Sequence, residues 1–344
     1  MTKVGIITIQ SINYGNRLQN FALQEVVRSL GCSVETISRE IPPDTRKRVR
    51  STFLKVLRHF VFTKGAAFDD FEKKINKSKW YALANSVYDG LDSKYDFFIA
   101  GSDQIWNPYY SFVGSTELLV FASSKKKISY SASFGVDKIP GEKIEKYKAA
   151  LADFSYISVR EDAGAKIIED LTGKEAEVVL DPTLLLEAED WRKIARRPKT
   201  CPKDRYTLLY FLDTTNKYTK KEEMENVFDI RMKKNGRELP IGPEEFIYLF
   251  DNAEKVITDS FHATVFSIIF RKPCITLTRP GIDMSSRISS LVKHLGIEEC
   301  IEDDGSLVID ERIDYAIVDD RIKFEKNKAI DFLEKALCLK KACE

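Results

Sequence analysis

Short apolar runs alternate along this chain with longer segments in which apolar residues recur every three or four positions. The short runs have the composition of buried strands, and the longer segments have the period of amphipathic helices. In the first half, strands are predicted at residues 4–9, 33–37, 95–100, 127–133, 156–159 and 176–180, with helices at 17–30, 141–154 and 162–172. This order predicts a parallel sheet covered by helices on both faces.

The alternation continues after residues 196–204, a segment of charges and prolines that is typical of a linker. A strand, a polar turn and a helix follow one another within residues 256–270; strands are also predicted at 206–212 and 273–277, and helices at 242–250, 287–295 and 321–341. The predicted fold class is α/β with two tandem parallel-sheet domains. Their predicted bounds are 1–198 and 205–320, followed by a C-terminal helix over 321–344.

Residues 44–92 interrupt the alternation. Basic residues such as Arg46 and Lys55 are interleaved there with apolar ones such as Phe53 and Phe60, and we expect inserted helices. Such a face is usually solvated, but the same composition suits a helix that rests on an anionic membrane surface. Peripheral contact with a membrane is therefore one hypothesis for this insertion.

The overall composition narrows the class of protein. The chain has 344 residues and a formal net charge of +1, so there is no basic field of the kind that attracts nucleic acid, and no nucleic-acid partner is expected. The six cysteines are scattered and no histidines stand at metal-ligand spacing, which predicts reduced thiols, no metal site and a cytoplasmic protein. The N-terminus lacks a signal-peptide pattern, and no apolar run approaches the ~20 residues of a membrane span.

The most informative turn lies between the strand and the helix of residues 256–270 and contains His262. Ligands of open α/β sheets bind where strands end and helices begin, because helix N-termini offer unpaired N–H groups and partial positive charge. A histidine there predicts an anion site. The alternative is a helix-capping turn, with Asp259 or Ser260 as the N-cap and a satisfied imidazole beside it.

A second polar turn follows the first strand and opens the first helix. Asn13, Asn16 and Gln19 offer donors and acceptors that suit sugar hydroxyls, and Gly15 permits tight backbone geometry. The turn lacks the G-x-G-x-x-G fingerprint, so a dinucleotide is a poor fit. An asparagine-rich N-cap is the structural alternative.

A third turn follows the strand at 95–100 and holds Asp103, Gln104, Trp106 and Asn107 within five positions. An indole against a sugar ring, with amides and a carboxylate at its hydroxyls, is a common solution for carbohydrate binding. Asp103 is also a candidate general base for an attacking hydroxyl. The alternative is an ordinary loop whose tryptophan belongs to the core.

Further turns carry charged or hydroxyl groups. Arg160 ends a predicted strand, and its planar fork suits a carboxylate or phosphate, although an ion pair with its acidic neighbours is the alternative. Ser286 and Arg287 open a helix with hydroxyl, N–H and guanidinium groups. The segment that begins with Asp181 is interpreted as a turn and cap. Together the turns favour a cleft that binds an anion and a polyol.

Assembled, these segments resemble the polysaccharide pyruvyl transferase family. The resemblance rests on Asn13-Tyr-Gly-Asn-Arg-Leu-Gln19, Gly101-Ser-Asp-Gln-Ile-Trp-Asn107, Ser158-Val-Arg-Glu161, Leu180-Asp-Pro-Thr183, Thr258-Asp-Ser-Phe-His262 and Ser286-Arg287-Ile288. It implies two Rossmann-like domains that face a cleft, similar to GT-B glycosyltransferases. It also implies transfer of pyruvate from phosphoenolpyruvate, as a cyclic ketal, to a sugar of a bacterial polysaccharide or its lipid-linked precursor, with release of phosphate and without a cofactor.

The resemblance also distributes roles among the turns. Arg160 and His262 match family residues of the phosphoenolpyruvate site. The expected catalytic residues are His262 as the acid, Asp103 as the base, and Arg160. The expected donor-binding residues are Arg160, Ser260, His262, Ser286 and Arg287, and the expected acceptor-binding residues are Asn13, Tyr14, Gly15, Asn16, Gln19, Gln104, Trp106 and Asn107.

One position departs from the family pattern, because Ser260 stands where many members have an arginine. Arg287 and Arg279 are the candidate replacements. Two other functions stay open for this architecture: a glycosyltransferase that uses a nucleotide sugar, and a non-catalytic glycan-binding protein. The acceptor sugar and the oligomeric state stay open as well.

Overall fold

The computed structural model describes residues 1–40, 63–84, 86–213, 226–234, 237–279 and 285–339. Its larger sheet is built from the apolar runs of the first half, in the order β4-β3-β2-β1-β5-β6-β7-β8. Neighbouring strands are parallel except β3 and β4. The strands are β1 Lys3–Ile7, β2 Ser33–Ser38, β3 Lys77–Leu83, β4 Ser86–Val87, β5 Phe97–Asp103, β6 Lys127–Ala132, β7 Tyr156–Val159 and β8 Glu177–Val178.

The strand order creates a topological switch beside β1. The chain passes from β1 to β2 on one side, and β5 later pairs with the other side of β1. Connections leave the carboxyl ends of β1 and β5 in opposite directions, and this opens a crevice of the kind that binds ligands in α/β sheets. Helix α1, Tyr14–Ser29, starts at the crevice, because Asn13 caps it by accepting a hydrogen bond from the Asn16 N–H.

Part of the insertion differs from its prediction. The other helices of the first half are α2 Lys64–Glu72, α3 Ile144–Leu151, α4 Asp162–Thr172 and α5 Ala188–Ile194. Inserted helices over 44–92 are wrong for residues 77–83 and 86–87, which form β3 and β4 at the edge of the sheet. In β3, buried Ser78 and Ala82 share one face of the strand, whereas exposed Lys77 and Lys79 belong to the other, and this period of two belongs to a strand. The basic part of the insertion and its hypothesised membrane contact lie outside the described residues.

The second half forms a smaller sheet in the order β10-β9-β13-β14-β15, with β14 and β15 antiparallel and the other pairs parallel. Its strands are β9 Thr207–Tyr210, β10 Val227–Asp229, β13 Lys255–Thr258, β14 Cys274–Thr276 and β15 Leu307–Ile309. A separate antiparallel pair comprises β11 Lys233–Lys234 and β12 Arg237–Glu238. The helices are α6 Pro243–Asp251, α7 Phe261–Ile269, α8 Ser285–Leu295 and α9 Tyr315–Ala336, and short 3-10 turns lie at Leu91–Lys94, Ser124–Lys126, Gly141–Lys143, Pro182–Leu184 and Glu298–Cys300.

The two sheets are joined by packing as well as by the chain. Helix α9 returns to the larger sheet, where Phe332 and Leu333 pack in one apolar cluster with Val4 and Ile6. It begins earlier than predicted, at Tyr315, because Asp314 caps it. The predicted fold class, two α/β units with parallel-dominated sheets, is confirmed, whereas the bounds 1–198 and 205–320 stay a prediction. No helix within the described part of the chain is both long and apolar enough to span a membrane.

Candidate active site

A cavity of about 240 Å³ lies where the two sheets direct the carboxyl ends of their strands toward each other. A larger cavity of about 710 Å³ lies at the other end of α7, between α5 and α9, and contains none of the residues expected to carry chemistry. The smaller cavity is therefore the candidate site. It is lined by Ile9, Ser11, Asn13, Asn16, Asp103, Gln104, Tyr110 and Phe112 from the first half and by Leu212, Ser260, Phe261, His262, Arg279 and Arg287 from the second.

His262 lies in the first turn of α7, with its ring against the first half of the chain. Ser260 is the N-cap of this helix, since its hydroxyl accepts a hydrogen bond from the Ala263 N–H at 3.5 Å. Ser260 as the N-cap is thus confirmed, but the satisfied imidazole of the capping interpretation is not found, because Nε2 of His262 has no hydrogen-bond partner in the described part of the chain. A methyl group on Gly15 would overlap the His262 imidazole. Gly15 is therefore the surface on which the imidazole rests.

A buried carboxylate, Asp181, lies between Arg160 and His262. Its Oδ2 is 2.7 Å from Nη2 of Arg160 and 3.6 Å from Nε2 of His262. Burial alone would raise the pKa of Asp181, but the charges of Arg160 and His262 outweigh it and hold this pKa well below its usual value. Asp181 therefore stays ionised and links the two residues expected at the donor.

Arg160 lies behind the cavity. Its side chain is 2 % exposed, its guanidinium also donates to Ser102 Oγ at 2.6 Å, and it stacks over the ring of Phe261. Among the described residues, Nη1 of Arg160 and Nε2 of His262 have no hydrogen-bond partner. These contacts suit an arginine that supplies positive charge and holds its neighbours in place. They are less suited to bidentate binding of a ligand.

Asp103 projects into the cavity from the end of β5. Its carboxylate accepts hydrogen bonds from the Asn16 side chain and from the Gln104 N–H, and Oδ1 lies 3.6 Å from Nη1 of Arg160. Its φ is +68°, in the left-handed region where a residue with a side chain is strained. Such strain is common where a side chain is held for function. Asp103 and Asn16 thus connect the turns after β5 and β1.

Two arginines of the second half line the cavity. Arg279 and Arg287 both line it, and the Gln104 side-chain amide lies 2.6 Å from Nη1 of Arg287. The buried carboxylate of Glu161 accepts hydrogen bonds from Ser133 Oγ at 2.8 Å and from the Phe134 N–H at 3.0 Å. Burial raises the pKa of Glu161, and the nearby arginines offset this only in part. Both candidate replacements for the arginine expected at Ser260 therefore reach the site.

Several expected acceptor residues belong to the core instead. Tyr14 is buried, donates its hydroxyl proton to the Ile241 carbonyl at 2.9 Å and stacks on Phe246. The indole of Trp106 is fully buried and donates to the Glu117 carbonyl at 3.1 Å, so it cannot stack on a sugar. These two assignments are wrong, because the turns direct both aromatic rings inward.

The amides divide between structure and cavity. Gln19 is fully buried and joins two strand ends, since it donates to Thr8 Oγ1 and accepts from the Ser102 N–H, so its assignment to the acceptor is wrong as well. Asn107 is buried and anchors the following loop through the Tyr109 N–H. Asn13, Asn16 and Gln104 line the cavity. Gly15 supports His262, and Ser286 is not among the lining residues.

Sequence interpretation missed part of this site. Asp181 does cap its turn, by accepting from the Thr183 N–H at 2.9 Å, but it also carries the ion pair with Arg160. Its place directly after the apolar run 178–180 was the available signal. Tyr110 and Phe112 also line the cavity, and their signal was the apolar character of a loop that follows a polar turn.

Comparison with known families decides the class of protein. A family model, polysaccharide pyruvyl transferase, matches residues 13–280, a span that includes Asp103, Arg160 and His262. The chain belongs to the polysaccharide pyruvyl transferase family. This pyruvyl transferase family member is thus a transferase, its family indicates a polysaccharide substrate, and the resemblance drawn from its motifs is confirmed. Arg287 lies beyond the matched span.

Solved structures similar to this pyruvyl transferase family member are distant in sequence. It is 11% identical to an uncharacterized protein from Klebsiella pneumoniae, over 84% of this chain and 87% of that one, with a TM-score of 0.48. A UDP-GlcNAc 2-epimerase from Methanocaldococcus jannaschii shows 13% identity over 79% and 83%, with a TM-score of 0.41. A UDP-N-acetylglucosamine 2-epimerase from Rickettsia bellii shows 11% identity over 99% and 100%, with a TM-score of 0.43. No curated protein matches the chain significantly.

Proposed function

We propose that the protein transfers pyruvate from phosphoenolpyruvate to two hydroxyls of an acceptor sugar, forming a cyclic ketal and releasing phosphate. The observation that carries this proposal is the shared cavity, which brings His262, Arg279, Arg287 and Asp103 together from both halves of the chain. These groups meet three needs of the reaction: an acid for the donor, cations for its carboxylate and phosphate, and a base for the acceptor.

The donor binds on the side of the cavity formed by the second half. Arg279 and Arg287 face it there, and the N-terminus of α7 adds N–H groups and a partial positive charge. Phosphoenolpyruvate carries two anionic groups close together, which suits two guanidinium groups beside a helix N-terminus. Arg160 acts from behind through Asp181, and the pair it forms holds positive and negative charge fixed beside His262.

His262 supplies the first proton. Its Nε2 lies 3.6 Å from Oδ2 of Asp181 and has no hydrogen-bond partner among the described residues, so this nitrogen is available to carry the proton. The methylene carbon takes the proton, and its C=C electron pair forms the new C–H bond. The central carbon becomes oxocarbenium-like, and the ionised Asp181 stabilises the imidazolium before the transfer.

The acceptor completes the reaction in two attacks. One hydroxyl adds to the central carbon and gives its proton to Asp103, and a second hydroxyl then displaces phosphate and closes the ketal ring. Asp103 passes the proton of the first hydroxyl to the departing phosphate, and the proton of the second hydroxyl restores His262, so both residues return to their starting states. Asn13 and Asn16 stand on the acceptor side of the cavity, where they hydrogen-bond sugar hydroxyls. No step of this mechanism uses a metal ion.

A thermal-shift series tests the donor, because a ligand that binds the native state raises the unfolding temperature. We expect phosphoenolpyruvate to stabilise the protein and UDP or UDP-sugars to have no effect at the same concentration. Stabilisation by the nucleotides alone would replace this proposal with a nucleotide-sugar glycosyltransferase.

A second assay tests the chemistry itself. Candidate glycans are incubated with phosphoenolpyruvate, and mass spectrometry looks for the gain of one pyruvyl group while phosphate release is measured. We expect both signals together, in a fixed ratio. A protein that binds these glycans but gives neither signal would instead be a non-catalytic glycan-binding protein.

A further inference from the structure

Large apolar side chains are concentrated at the mouth of the cavity. Within the described ranges, Ile12, Tyr109, Tyr110, Phe112 and Leu212 are exposed on the loops that follow β1, β5 and β9. Tyr110, Phe112 and Leu212 line the cavity itself. Exposed apolar groups that gather beside a polar cavity mark a surface that binds a ligand.

Tyr110 and Phe112 form a pair of partly exposed rings. Their centroids are 5.2 Å apart with the planes tilted by 33°, and the two residues keep 37% and 42% of their surface exposed. The Tyr110 hydroxyl lies 2.8 Å from the Gln104 side-chain amide, which fixes the direction of that ring. The pair therefore offers solvent a broad aromatic surface of defined orientation.

The loop that carries these rings is anchored at several points. Asn107 Oδ1 accepts from the Tyr109 N–H at 2.9 Å, and its carbonyl accepts from the Tyr110 N–H at 3.2 Å. The Lys143 ammonium donates to the Pro108 carbonyl. A surface that is already ordered loses less conformational entropy when a ligand binds, so these anchors favour binding.

The groups around the rings point to the kind of ligand. Ser11, Asn13 and Asn16 line the same cavity and present neutral hydroxyl and amide groups, whereas the arginines lie on the side formed by the second half. A pyranose ring has an apolar C–H face and a polar edge of hydroxyls. An aromatic face beside neutral donors and acceptors complements both features.

We infer that Tyr110 and Phe112 are the stacking platform of the acceptor, with one face of a pyranose on the rings and its diol directed to Asp103. This inference rests on the proposed function. The platform takes the stacking role that Trp106 cannot have. It selects acceptor sugars with one ring face free of axial hydroxyls.

Steady-state kinetics with Phe112→Ala tests the platform. We expect the KM for the acceptor to rise about 2- to 10-fold, the range of a lost aromatic contact, with kcat and the KM for phosphoenolpyruvate unchanged. Tyr109→Ala is the matched control, because Tyr109 is on the same loop and 71% exposed but does not line the cavity. Phe112→Tyr keeps the ring and should restore the acceptor KM. An unchanged acceptor KM in Phe112→Ala, or a rise in the donor KM instead, would overturn the inference.

Direct binding separates this inference from the proposed function. Saturation-transfer NMR is recorded with methyl β-glycosides of glucose, galactose and N-acetylglucosamine and with UMP as a nucleobase probe. We expect saturation of the C–H groups on one glycoside face, lost in Phe112→Ala and kept in Tyr109→Ala, whether or not pyruvate is transferred. Contact with the uracil ring alone, or with no glycoside, would refute the platform. Glycoside contact without consumption of phosphoenolpyruvate would support the platform and refute the pyruvyl transfer.

Discussion

The substitution Asp181→Asn isolates the charge at the centre of the site. It keeps the shape of the side chain but leaves the Arg160 guanidinium without the carboxylate 2.7 Å away. The two side chains are 2 % and 0 % exposed, so water cannot take over the lost partner. Removing one partner of a buried ion pair costs about 3–5 kcal/mol of folding free energy. We expect a loss of this size for Asp181→Asn.

Urea unfolding followed by circular dichroism measures this loss. The matched control is Asp170→Asn, which breaks the exposed pair of Asp170 with Lys166 and should cost far less, because solvent screens both charges. In a double-mutant cycle with Arg160→Met, we expect the two changes to cost less together than their sum. A loss for Asp181→Asn that matches the control, or strict additivity in the cycle, would refute the pairing as a source of stability.

The pH dependence of the same measurement has a defined sign. The folded-state pKa of Asp181 is depressed, so its contribution is complete above the pKa of the unfolded carboxyl, about 3.9. It is lost as the pH falls through the folded-state value. We therefore expect the stability difference between the native chain and Asp181→Asn to stay constant from about pH 8 to about pH 5 and to shrink below about pH 4. A difference that falls between neutral pH and about pH 5 would contradict this assignment.

Three further predictions concern activity. Gly15→Ala should displace the His262 imidazole and lower kcat while the fold is retained. Gly141→Ala is the control and should leave kcat unchanged, because a methyl group there meets no neighbour within 4 Å. Equal kcat values in the two variants would refute the role of Gly15. His262→Ala should abolish phosphate release while the circular dichroism spectrum is retained, and near-normal release would remove His262 from the mechanism. Arg287→Ala and Arg279→Ala should each weaken thermal stabilisation by phosphoenolpyruvate, and a full shift in both variants would place the donor elsewhere.

The convergence of the polar turns was predictable from sequence. Strands that run parallel end at the same edge of a sheet, so Asp103 and Asn16 meet whatever the details of the loops between them. His262 follows from the same rule in the second sheet. The alternation of strands and helices was sufficient for these positions because it depends on burial, which the apolar pattern records directly.

The direction of individual side chains was not predictable in this way. Trp106 and Tyr110 belong to the same loop, and nothing in their residue types tells which ring faces the cavity. Backbone contacts decide it, since the Trp106 N–H donates to the Ser133 carbonyl and turns the indole inward. Asp181 is a similar case, because its partner Arg160 follows a different strand, and the parallel pairing of β7 and β8 brings the two residues together.

The contact between Tyr14 and Phe246 constrains how the cleft can work. Their rings stack 4.5 Å apart, one from α1 and one from α6, within an apolar cluster that both halves share. Pulling the halves apart would wet such rings at a cost of about 4–6 kcal/mol each, at ~25 cal/mol per Å² and 150–250 Å² per ring. This packing opposes separation of the two halves, so a ligand must enter through the existing mouth of the cavity and not through an opening of the cleft.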